Sequence, residues 1–559
     1  MKPPAALLAV MLMFGSLGAP AIEADVSQEL TGIQERLFGA DASQPVFQDA
    51  DIYERDLVAA FYQANDYRAV WSDPGYVGEV LGLLEASAEE GLNPQDYHLR
   101  MLQALRSIDS DALANPSYLQ AKFDLLLTDA VLAYARHLVQ GKVDPRTLDE
   151  SWNYSRIDYA PARIVTALQE AIASRQVAAL LNRLRPDYAV YRQMKAALQE
   201  YRQLALDEPF YRISNETTLR PGMSHASVPA LRRRLAQLGY LQGQGPDSSQ
   251  YGAALEQAVR QFQRDNNLDV DGVVGRHSFE LLNLSFADRV ERIRINLDRL
   301  RWMSDEVSDE FILVNVAGYE LYYLRNGRLL WETPVMIGAI ETQTPIFQAP
   351  LRYLEFNPSW NVPRSIVSRS LFAGFRAEPR SVIDKGYQLF DPNGQPIDPL
   401  TLDWTRFTAD SFPYRVVQQP GPGNAMGRVK FMFPNPHAVY QHDTPSRSLF
   451  SRKQRAFSAG CIRGRDPLEL ARLLLDDPVK WSAQEIQALV EIRKPRQILH
   501  HRRPVDVLLT YLTVSPAPGG QIQFHRDVYQ RVPATLEALY APPQVRAYAS
   551  RGVSGSPPG

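Results

Sequence analysis

The residues best suited to chemistry lie in one stretch, QHDTPSRSLFSRKQRAFSAGCIR, at positions 441–463. It holds Cys461, the only cysteine among 559 residues, and His442, which lies 19 positions before it. An imidazole beside a thiol can take up the thiol proton and return a proton to a leaving amine, so the thiol can act as a nucleophile. The neighbours of Cys461 are small or charged rather than apolar: Ser458, Ala459, Gly460 and Arg463. This setting favours a reactive, reachable thiolate beside a cation.

Two of these neighbours have candidate roles of their own. Gly460 lets a substrate carbonyl approach the backbone closely, which makes the N–H groups of residues 460 and 461 candidate oxyanion donors. Arg463 is suited either to lowering the pKa of the thiol or to holding a substrate carboxylate.

The N-terminus, MKPPAALLAVMLMFGSLGAPAIEADVS, predicts export. Lys2 supplies a short positive region, residues 5–17 form an apolar run, and residues 19–21 form an A-x-A cleavage site. We therefore predict a signal peptide at 1–21, cleaved after Ala21, and a periplasmic mature protein. A membrane anchor is disfavoured because a spanning helix needs about 20 apolar residues. The nearest later candidate, FDLLLTDAVLAYARHL (123–138), carries charges and predicts a helix in a soluble core, so we expect no membrane span in the mature protein.

Export narrows the interpretation of a single cysteine. Structural cysteines in oxidising compartments come in pairs, and one cysteine cannot form an intramolecular disulfide. An inert buried thiol, an intermolecular bridge and a nucleophile remain, and the small and charged neighbours favour the nucleophile.

Composition sets broad limits. A net charge of −3 gives no nucleic-acid footprint, so we expect no nucleic-acid partner. A hydrophobic content of 45% is that of an ordinary globular chain. The length indicates three or four domains at roughly 100–200 residues each.

The elements that must position Cys461 and His442 form a mainly antiparallel β domain, predicted at 286–541. FILVNVAGYELYYLRNGRLLWETPVMIG (311–338) alternates in polarity, and Asn326-Gly327 between its two runs predicts a hairpin. Further strands are predicted in LRYLEFNPSW, GRVKFMF and HAVYQHD. After the cysteine, DPLELARLLL predicts a helix with Asp466 as its N-cap. A Pro-punctuated insertion at about 362–416 predicts a cap beside the site.

The regions on either side of this domain have simpler predictions. Residues 25–205 place apolar residues at three- and four-residue spacing in four segments, which predicts a helical scaffold domain. Residues 217–285 predict a small module of three helices, in SVPALRRRLAQLGYL, YGAALEQAVRQFQRDNNL and RHSFELLN. Residues 542–559, which end in SRGVSGSPPG, predict a disordered tail.

The small module resembles a known family. Its spacing, LRxxLxxLGYL…VRxFQxxxxLxxDGxxG, is similar to that of the three-helix peptidoglycan-binding module of many wall enzymes. The expected fold class is therefore multidomain α+β. It comprises a helical N-terminal scaffold, a small three-helix wall-binding module, and a mainly antiparallel β catalytic domain with helices and a capping insertion.

The region around the cysteine resembles the catalytic domain of the L,D-transpeptidases (YkuD type). The resemblance rests on VYQHDTPSRSLF…RAFSAGCIR and the preceding QPGPGNAMGRVKFMFPN. FYQANDYRAVWSD and GLNPQDYHL extend it to the large Gram-negative form with a scaffold, a peptidoglycan-binding module and a capping insertion.

This resemblance implies roles for individual residues. It implies Cys461 as the nucleophile and His442 as the base, with the backbone carbonyl of Asp443 orienting the imidazole. Four further residues fall in the family's site motif: Tyr440, Ser458, Gly460 and Arg463. Of these, Tyr440 and Arg463 are implied to bind substrate. Many members read SHGC where this chain has Ala459 in place of the histidine. That histidine is not the residue assigned as the base, so we expect activity to survive.

The resemblance also implies a reaction. Cys461 would attack the carbonyl of a meso-diaminopimelate in a peptidoglycan tetrapeptide stem, releasing the terminal D-alanine and leaving a thioester. The acyl group would pass to the diaminopimelate amine of a second stem, giving a 3–3 crosslink. Roles in wall biogenesis and cell shape, acylation by carbapenems and partnership with other wall-synthesis enzymes are implied as well. No metal or other cofactor is expected, since the His500–His501 pair is more typical of a surface loop.

Two other functions stay open. One is an L,D-carboxypeptidase or other peptidoglycan cysteine hydrolase, with water as the acceptor. A papain-like fold is disfavoured because papain-like enzymes place the cysteine before the histidine. The second is a non-catalytic wall-binding scaffold with an incidental thiol, for which Cys461 should be unreactive toward electrophiles at neutral pH.

Overall fold

A computed structural model gives the fold of the chain. It describes residues 25–33, 46–108, 115–154, 160–207, 209–242, 248–303, 308–499, 504–517 and 519–546. Three predicted features lie outside the described residues: the signal peptide at 1–21, the His500–His501 pair, and the tail beyond residue 546.

The N-terminal region is helical and encloses its own apolar core. After a helical segment at 25–33, its helices are Arg55–Ala64, Pro74–Glu85, Leu99–Arg106, Pro116–Gln140, Pro161–Ala173 and Val177–Leu184. The longest of them, Pro116–Gln140, buries Asp129, whose carboxylate accepts the backbone N–H groups of Tyr53 (3.0 Å) and Glu54 (2.7 Å). A buried carboxylate needs such partners, and this one fixes the start of the first of these six helices.

The three predicted helices of the small module are present. They are Val228–Gln237, Ala253–Asp265 and Arg276–Leu282. Their core residues, including Leu235 and Phe262, pack in one cluster with residues of two longer helices, Ala189–Asp207 and Phe286–Arg301. The module therefore shares its core with the helices that flank it in sequence.

The helix Phe286–Arg301 joins the regions of the chain. It begins with a capping box between Ser285 and Asp288. Near its other end, Asp298 accepts backbone N–H groups from Lys142 and Val143 of the N-terminal region, at 2.8 and 3.1 Å. Arg299 donates to the backbone carbonyl of Tyr511 in the catalytic domain at 3.0 Å.

The catalytic domain is built on an eleven-stranded sheet. Its strands follow one another in the order Arg496–Leu499, Tyr353–Phe356, Val429–Met432, Gln441–His442, Ile462–Gly464, Arg328–Gly338, Glu320–Arg325, Glu310–Asn315, Asp506–Thr510 and Gln348–Pro350, and Ala456–Ser458 pairs separately with Arg328–Gly338. Most pairs are antiparallel, and the Asn326-Gly327 turn joins Glu320–Arg325 to Arg328–Gly338 as predicted. The helices Pro467–Leu475, Ala483–Glu491 and Val532–Tyr540 accompany the sheet, and Val514–Pro516 pairs with Ile522–Phe524.

The insertion forms a lobe with its own aromatic core. Its small sheet pairs Trp360–Asn361, Arg415–Gln418, Tyr387–Phe390 and Pro396–Ile397, beside a helical segment from Arg364 to Ala377 and the helix Arg380–Asp384. The rings of Trp404 and Phe412 stack with centroids 5.4 Å apart, and Phe372 packs edge-on against Phe412. The predicted multidomain α+β fold class is confirmed. Among the described residues, no helix is both long enough and apolar enough to cross a membrane.

Candidate active site

The candidate site lies on one face of the catalytic sheet. Side chains alternate between the faces of a strand, and directly paired residues share a face. Leu354, Phe431 and Ile462 are buried in the core of the domain. The pairings Glu355 with Lys430, Lys430 with His442, and His442 with Arg463 place these four residues on the opposite face. We call Glu355, Lys430, His442 and Arg463 the transverse row.

Cys461 lies beside this row, where the loop after Ala456–Ser458 enters the strand Ile462–Gly464. Gly460 has φ +111°, a conformation that residues with a Cβ rarely adopt. The Ser458 hydroxyl accepts from the Gly460 N–H at 3.1 Å and donates to the Cys461 carbonyl at 2.6 Å. Ser458 therefore fixes the turn that presents the thiol. It also occupies the Gly460 N–H, one of the two predicted oxyanion donors.

A second loop holds the cysteine turn from the other side. Thr344 Oγ1 donates to the Gly460 carbonyl at 2.8 Å and accepts from the Gly338 N–H at 2.9 Å. Thr342 Oγ1 donates to the Ser458 carbonyl at 2.9 Å. The turn is thus bonded on both sides, which preorganises the backbone around the thiol.

His442 is buried, and its ring lies against the backbone at Asp443 and Met426. Its Nδ1 lies 2.5 Å from the backbone oxygen of Asp443. A carbonyl oxygen only accepts, so Nδ1 carries the proton and Nε2 is left as the basic nitrogen. Burial, followed by the nearby Arg463 guanidinium, lowers the pKa of His442 to about 3. The imidazole is therefore neutral at physiological pH.

Asp443 is fixed in turn by two arginines. Its carboxylate, 2% exposed, accepts from Arg428 Nε at 2.7 Å and from Arg447 Nη2 at 2.7 Å. The Arg428 N–H adds a third bond at 3.0 Å. Because the Asp443 carbonyl orients His442, these ion pairs position the imidazole indirectly.

Tyr440 connects the thiol to the insertion. Its ring centroid lies 5.9 Å from that of His442 and 4.0 Å from Lys430 Nζ. Burial, then the Cys461 thiol to which the phenol is hydrogen-bonded, raises the pKa of Tyr440, whereas a hydrogen bond from Trp360 lowers it. Trp360 belongs to the sheet of the insertion, so that lobe reaches the site.

The thiol itself is protonated in this environment. Burial raises the pKa of Cys461, and it outweighs the opposing effects of the Tyr440 hydrogen bonds and the Arg463 and Lys430 cations. Cys461 Sγ also lies 3.9 Å from the backbone oxygen of Ala438. The substrate-free site thus holds a neutral thiol and a neutral imidazole, where the sequence predicted a thiolate.

The structure brings together all seven residues that the sequence selected: Tyr440, His442, Asp443, Ser458, Gly460, Cys461 and Arg463. Sequence reasoning missed four more. Thr344, Trp360 and Lys430 contact residues of this site, and Glu355 is paired with Lys430 in the sheet. Polar residues inside the alternating strands GRVKFMF and LRYLEFNPSW were the available signal for two of these. Within the described parts of the chain, no group of three or more His, Cys, Asp or Glu side chains is arranged to hold a metal ion.

Comparisons with known proteins match three regions of the chain. Residues 56–198 match a family model described as a scaffold domain, and residues 224–282 match one described as "Putative peptidoglycan binding domain". Residues 309–481, which include His442 and Cys461, match the L,D-transpeptidase catalytic domain. These matches confirm the predicted resemblance to an L,D-transpeptidase with scaffold and peptidoglycan-binding domains.

Individual relatives are more distant. A Haemophilus influenzae protein named "Putative L,D-transpeptidase" is 36% identical over 239 residues, which cover 43% of this chain and 47% of that protein. The match thus spans about half the length of this curated relative. An L,D-transpeptidase structure from Xylanimonas cellulosilytica is 15% identical, covers 53% of this chain and 98% of its own, and has a TM-score of 0.17. A fused amidase/peptidase and peptidoglycan-binding protein from Clostridium acetobutylicum is 12% identical, covers 52% and 99%, and has a TM-score of 0.15.

Proposed function

We propose that this protein is a cysteine-dependent L,D-transpeptidase that acts on the tetrapeptide stems of peptidoglycan and forms 3–3 crosslinks. The observation that carries the proposal is the pairing of the strand that holds His442 with the strand that Cys461 directly precedes, with the imidazole oriented through Asp443. The match of residues 309–481 to the L,D-transpeptidase catalytic domain supports the same reaction class.

The first half-reaction releases D-alanine. His442 Nε2 takes the proton of the Cys461 thiol as sulfur attacks the carbonyl carbon of the donor diaminopimelate. The Cys461 N–H is the oxyanion donor for the tetrahedral intermediate, because Ser458 already occupies the Gly460 N–H. The carbon–nitrogen bond to D-alanine then breaks, the imidazolium returns its proton to the leaving amine, and a thioester remains on Cys461.

The second half-reaction transfers the acyl group. The side-chain amine of a second diaminopimelate attacks the thioester carbon and gives its proton to His442. The carbon–sulfur bond breaks, and the proton returns to the Cys461 sulfur. A neutral imidazole suits this sequence because it starts each half-reaction as a proton acceptor.

The surrounding regions have supporting roles in this proposal. The peptidoglycan-binding domain holds the enzyme on its polymeric substrate, and the insertion, which reaches Tyr440 through Trp360, covers the bound stem. The predicted signal peptide would deliver the chain to the periplasm, where peptidoglycan lies. Carbapenems would acylate Cys461.

A product assay tests the proposal. The protein lacking residues 1–21 and its Cys461→Ala variant are incubated with purified disaccharide-tetrapeptides, and the products are read by mass spectrometry. Dimers joined between two diaminopimelates, made only by the wild type, are the expected result. Tripeptides without dimers would replace the transpeptidase with an L,D-carboxypeptidase. Unchanged substrate together with an unreactive Cys461 would overturn both in favour of a binding scaffold.

A further inference from the structure

Two cations of the transverse row have no anionic partner among the residues that the structure describes. Lys430 and Arg463 flank His442 on the neighbouring strands, and within the described residues neither side chain forms an ion pair or a hydrogen bond. Arg463 Nε is buried without a partner. By contrast the buried Arg455, on the same domain, donates to three backbone carbonyls. The row therefore holds cationic groups that the fold itself leaves unsatisfied.

Lys430 lies where a substrate would meet it. Its Nζ is 4.0 Å from the centroid of the Tyr440 ring. Burial lowers the pKa of Lys430, and the Glu355 carboxylate and the Cys461 thiol oppose that shift, so the ammonium lies within electrostatic reach of both. Partial burial of a charge is costly unless an opposite charge meets it. A bound carboxylate would meet it here.

Glu355 supplies the complementary charge. It is paired directly with Lys430 in the antiparallel sheet and shares its face, yet the two side chains form no ion pair within 4.0 Å. Among the described residues, the Glu355 side chain has no ion-pair or hydrogen-bond partner. An ammonium and a carboxylate that stand side by side without neutralising each other can bind one ligand group that carries both charges.

The donor stem carries such a group. The side chain of diaminopimelate ends in a carbon that bears an amine and a carboxylate, separated from the attacked carbonyl by a short methylene arm. The Lys430 strand is two strands from that of Cys461, or about 10 Å at the backbone. The methylene arm and the lysine side chain together can bridge that distance.

We infer that Lys430 and Glu355 form a subsite for the zwitterionic end of the donor diaminopimelate, with Lys430 on its carboxylate and Glu355 on its amine. This inference rests on the proposed function and adds the recognition of its donor. Both residues are specificity determinants in it, distinct from the catalytic pair of Cys461 and His442.

The test compares two donors by the release of D-alanine, the product of the first half-reaction. One is the disaccharide-tetrapeptide, and the other is the same stem with the diaminopimelate side-chain carboxylate amidated. The kcat/KM for D-alanine release is measured for the wild type, Lys430→Met, Glu355→Gln and the control Lys494→Met, which alters an exposed lysine of the same domain. The ratio of the two rates cancels any effect of a variant on the thiol itself.

The wild type and Lys494→Met should prefer the free carboxylate by about 10- to 100-fold, the range of a charge-assisted hydrogen bond. Lys430→Met should lower that ratio to about 1. Glu355→Gln should slow both donors by about 10-fold, because both keep the amine, and should preserve the ratio.

If the wild type releases D-alanine from both donors with a ratio of kcat/KM values near 1, or if Lys430→Met keeps the wild-type ratio, the proposed subsite is wrong. If Glu355→Gln releases D-alanine at wild-type rates, Glu355 is not part of the subsite. Failure of the proposed function is read separately: a wild type that releases D-alanine but forms no dimers is not a transpeptidase, whereas one that releases D-alanine from neither donor removes the subsite as well.

Discussion

The substitution Gly427→Ala should displace Asp443, the residue whose backbone carbonyl orients His442. Gly427 has φ +63°, and a Cβ on it would lie 2.4 Å from Asp443 Cβ and 2.6 Å from its Cγ. Unbonded carbons normally approach to about 3.5–4.0 Å, so either residue must move by about 1 Å. Asp443 resists because Arg428 and Arg447 hold its carboxylate at 2.7 Å each.

The magnitude follows from two costs. An alanine in the left-handed region costs about 1–2 kcal/mol, and crowding of a packed site costs about 1–3 kcal/mol. We expect Gly427→Ala to lower the free energy of unfolding by about 2–5 kcal/mol. Displacement of Asp443 should also reduce D-alanine release, because the Asp443 carbonyl orients His442.

The matched control is Gly327→Ala, in a hairpin of the same sheet. Gly327 has φ +71°, and a Cβ there would meet nothing within 4 Å, so only the backbone cost applies. Urea unfolding followed by tryptophan fluorescence measures both variants, and D-alanine release measures the site. If Gly427→Ala matches Gly327→Ala in stability and in turnover, the packing of Gly427 on Asp443 does not position His442.

Three further outcomes are expected. Because burial raises the pKa of Cys461, the rate of its alkylation by iodoacetamide should keep rising with pH above 8.5. In urea-unfolded protein the rate should level off near the ordinary thiol pKa of about 8.5. Arg463→Met removes a cation that lowers the pKa of Cys461, so it should move the curve of the folded protein to still higher pH. Ser458→Ala removes both hydrogen bonds that shape the turn at Gly460, and their loss costs about 1–3 kcal/mol. The kcat/KM for D-alanine release should therefore fall by at least 5-fold. An unchanged kcat/KM would exclude the role given to Ser458. The pKa of His442 is about 3 in the folded protein and about 6.5 in the unfolded chain. Its contribution to stability is therefore present above pH 6.5 and is lost as pH falls toward 3. The free energy of unfolding of His442→Gln should depend less on pH between 3 and 6.5 than that of the wild type.

Local signals in the sequence predicted local structure well. The Asn326-Gly327 hairpin and the three module helices depend on turn chemistry and apolar spacing within short windows. Asp466 occupies the predicted N-cap position of Pro467–Leu475, but its side chain makes no capping bond and pairs with Arg465 at 3.1 Å. The sequence predicted that Asp466 stands at the N-cap position. It did not predict that the Asp466 carboxylate would pair with Arg465 instead of the N–H groups at the start of the helix.

The pKa of the Cys461 thiol is a second property that neighbours in the sequence did not predict. A cation and small residues near Cys461 in sequence predict a low thiol pKa, yet burial in the folded site has the larger effect and raises it. The Tyr440 phenol bonded to this thiol also bonds to Trp360, about 100 positions before Cys461 in the chain. Only the fold brings these groups together.

The transverse row shows why the rest of the site could not be predicted. Alternation in LRYLEFNPSW and GRVKFMF indicates that Glu355 and Lys430 share no face with Leu354 and Phe431, but it does not say which strands are neighbours. The register that aligns Lys430 with His442 comes from burial of the apolar set on the other face. A slip by one residue would turn Lys430 into the core, where its charge would have no partner, so packing the core is what assembles the charged face. The residues that would select the substrate are thereby fixed by apolar residues that never touch it.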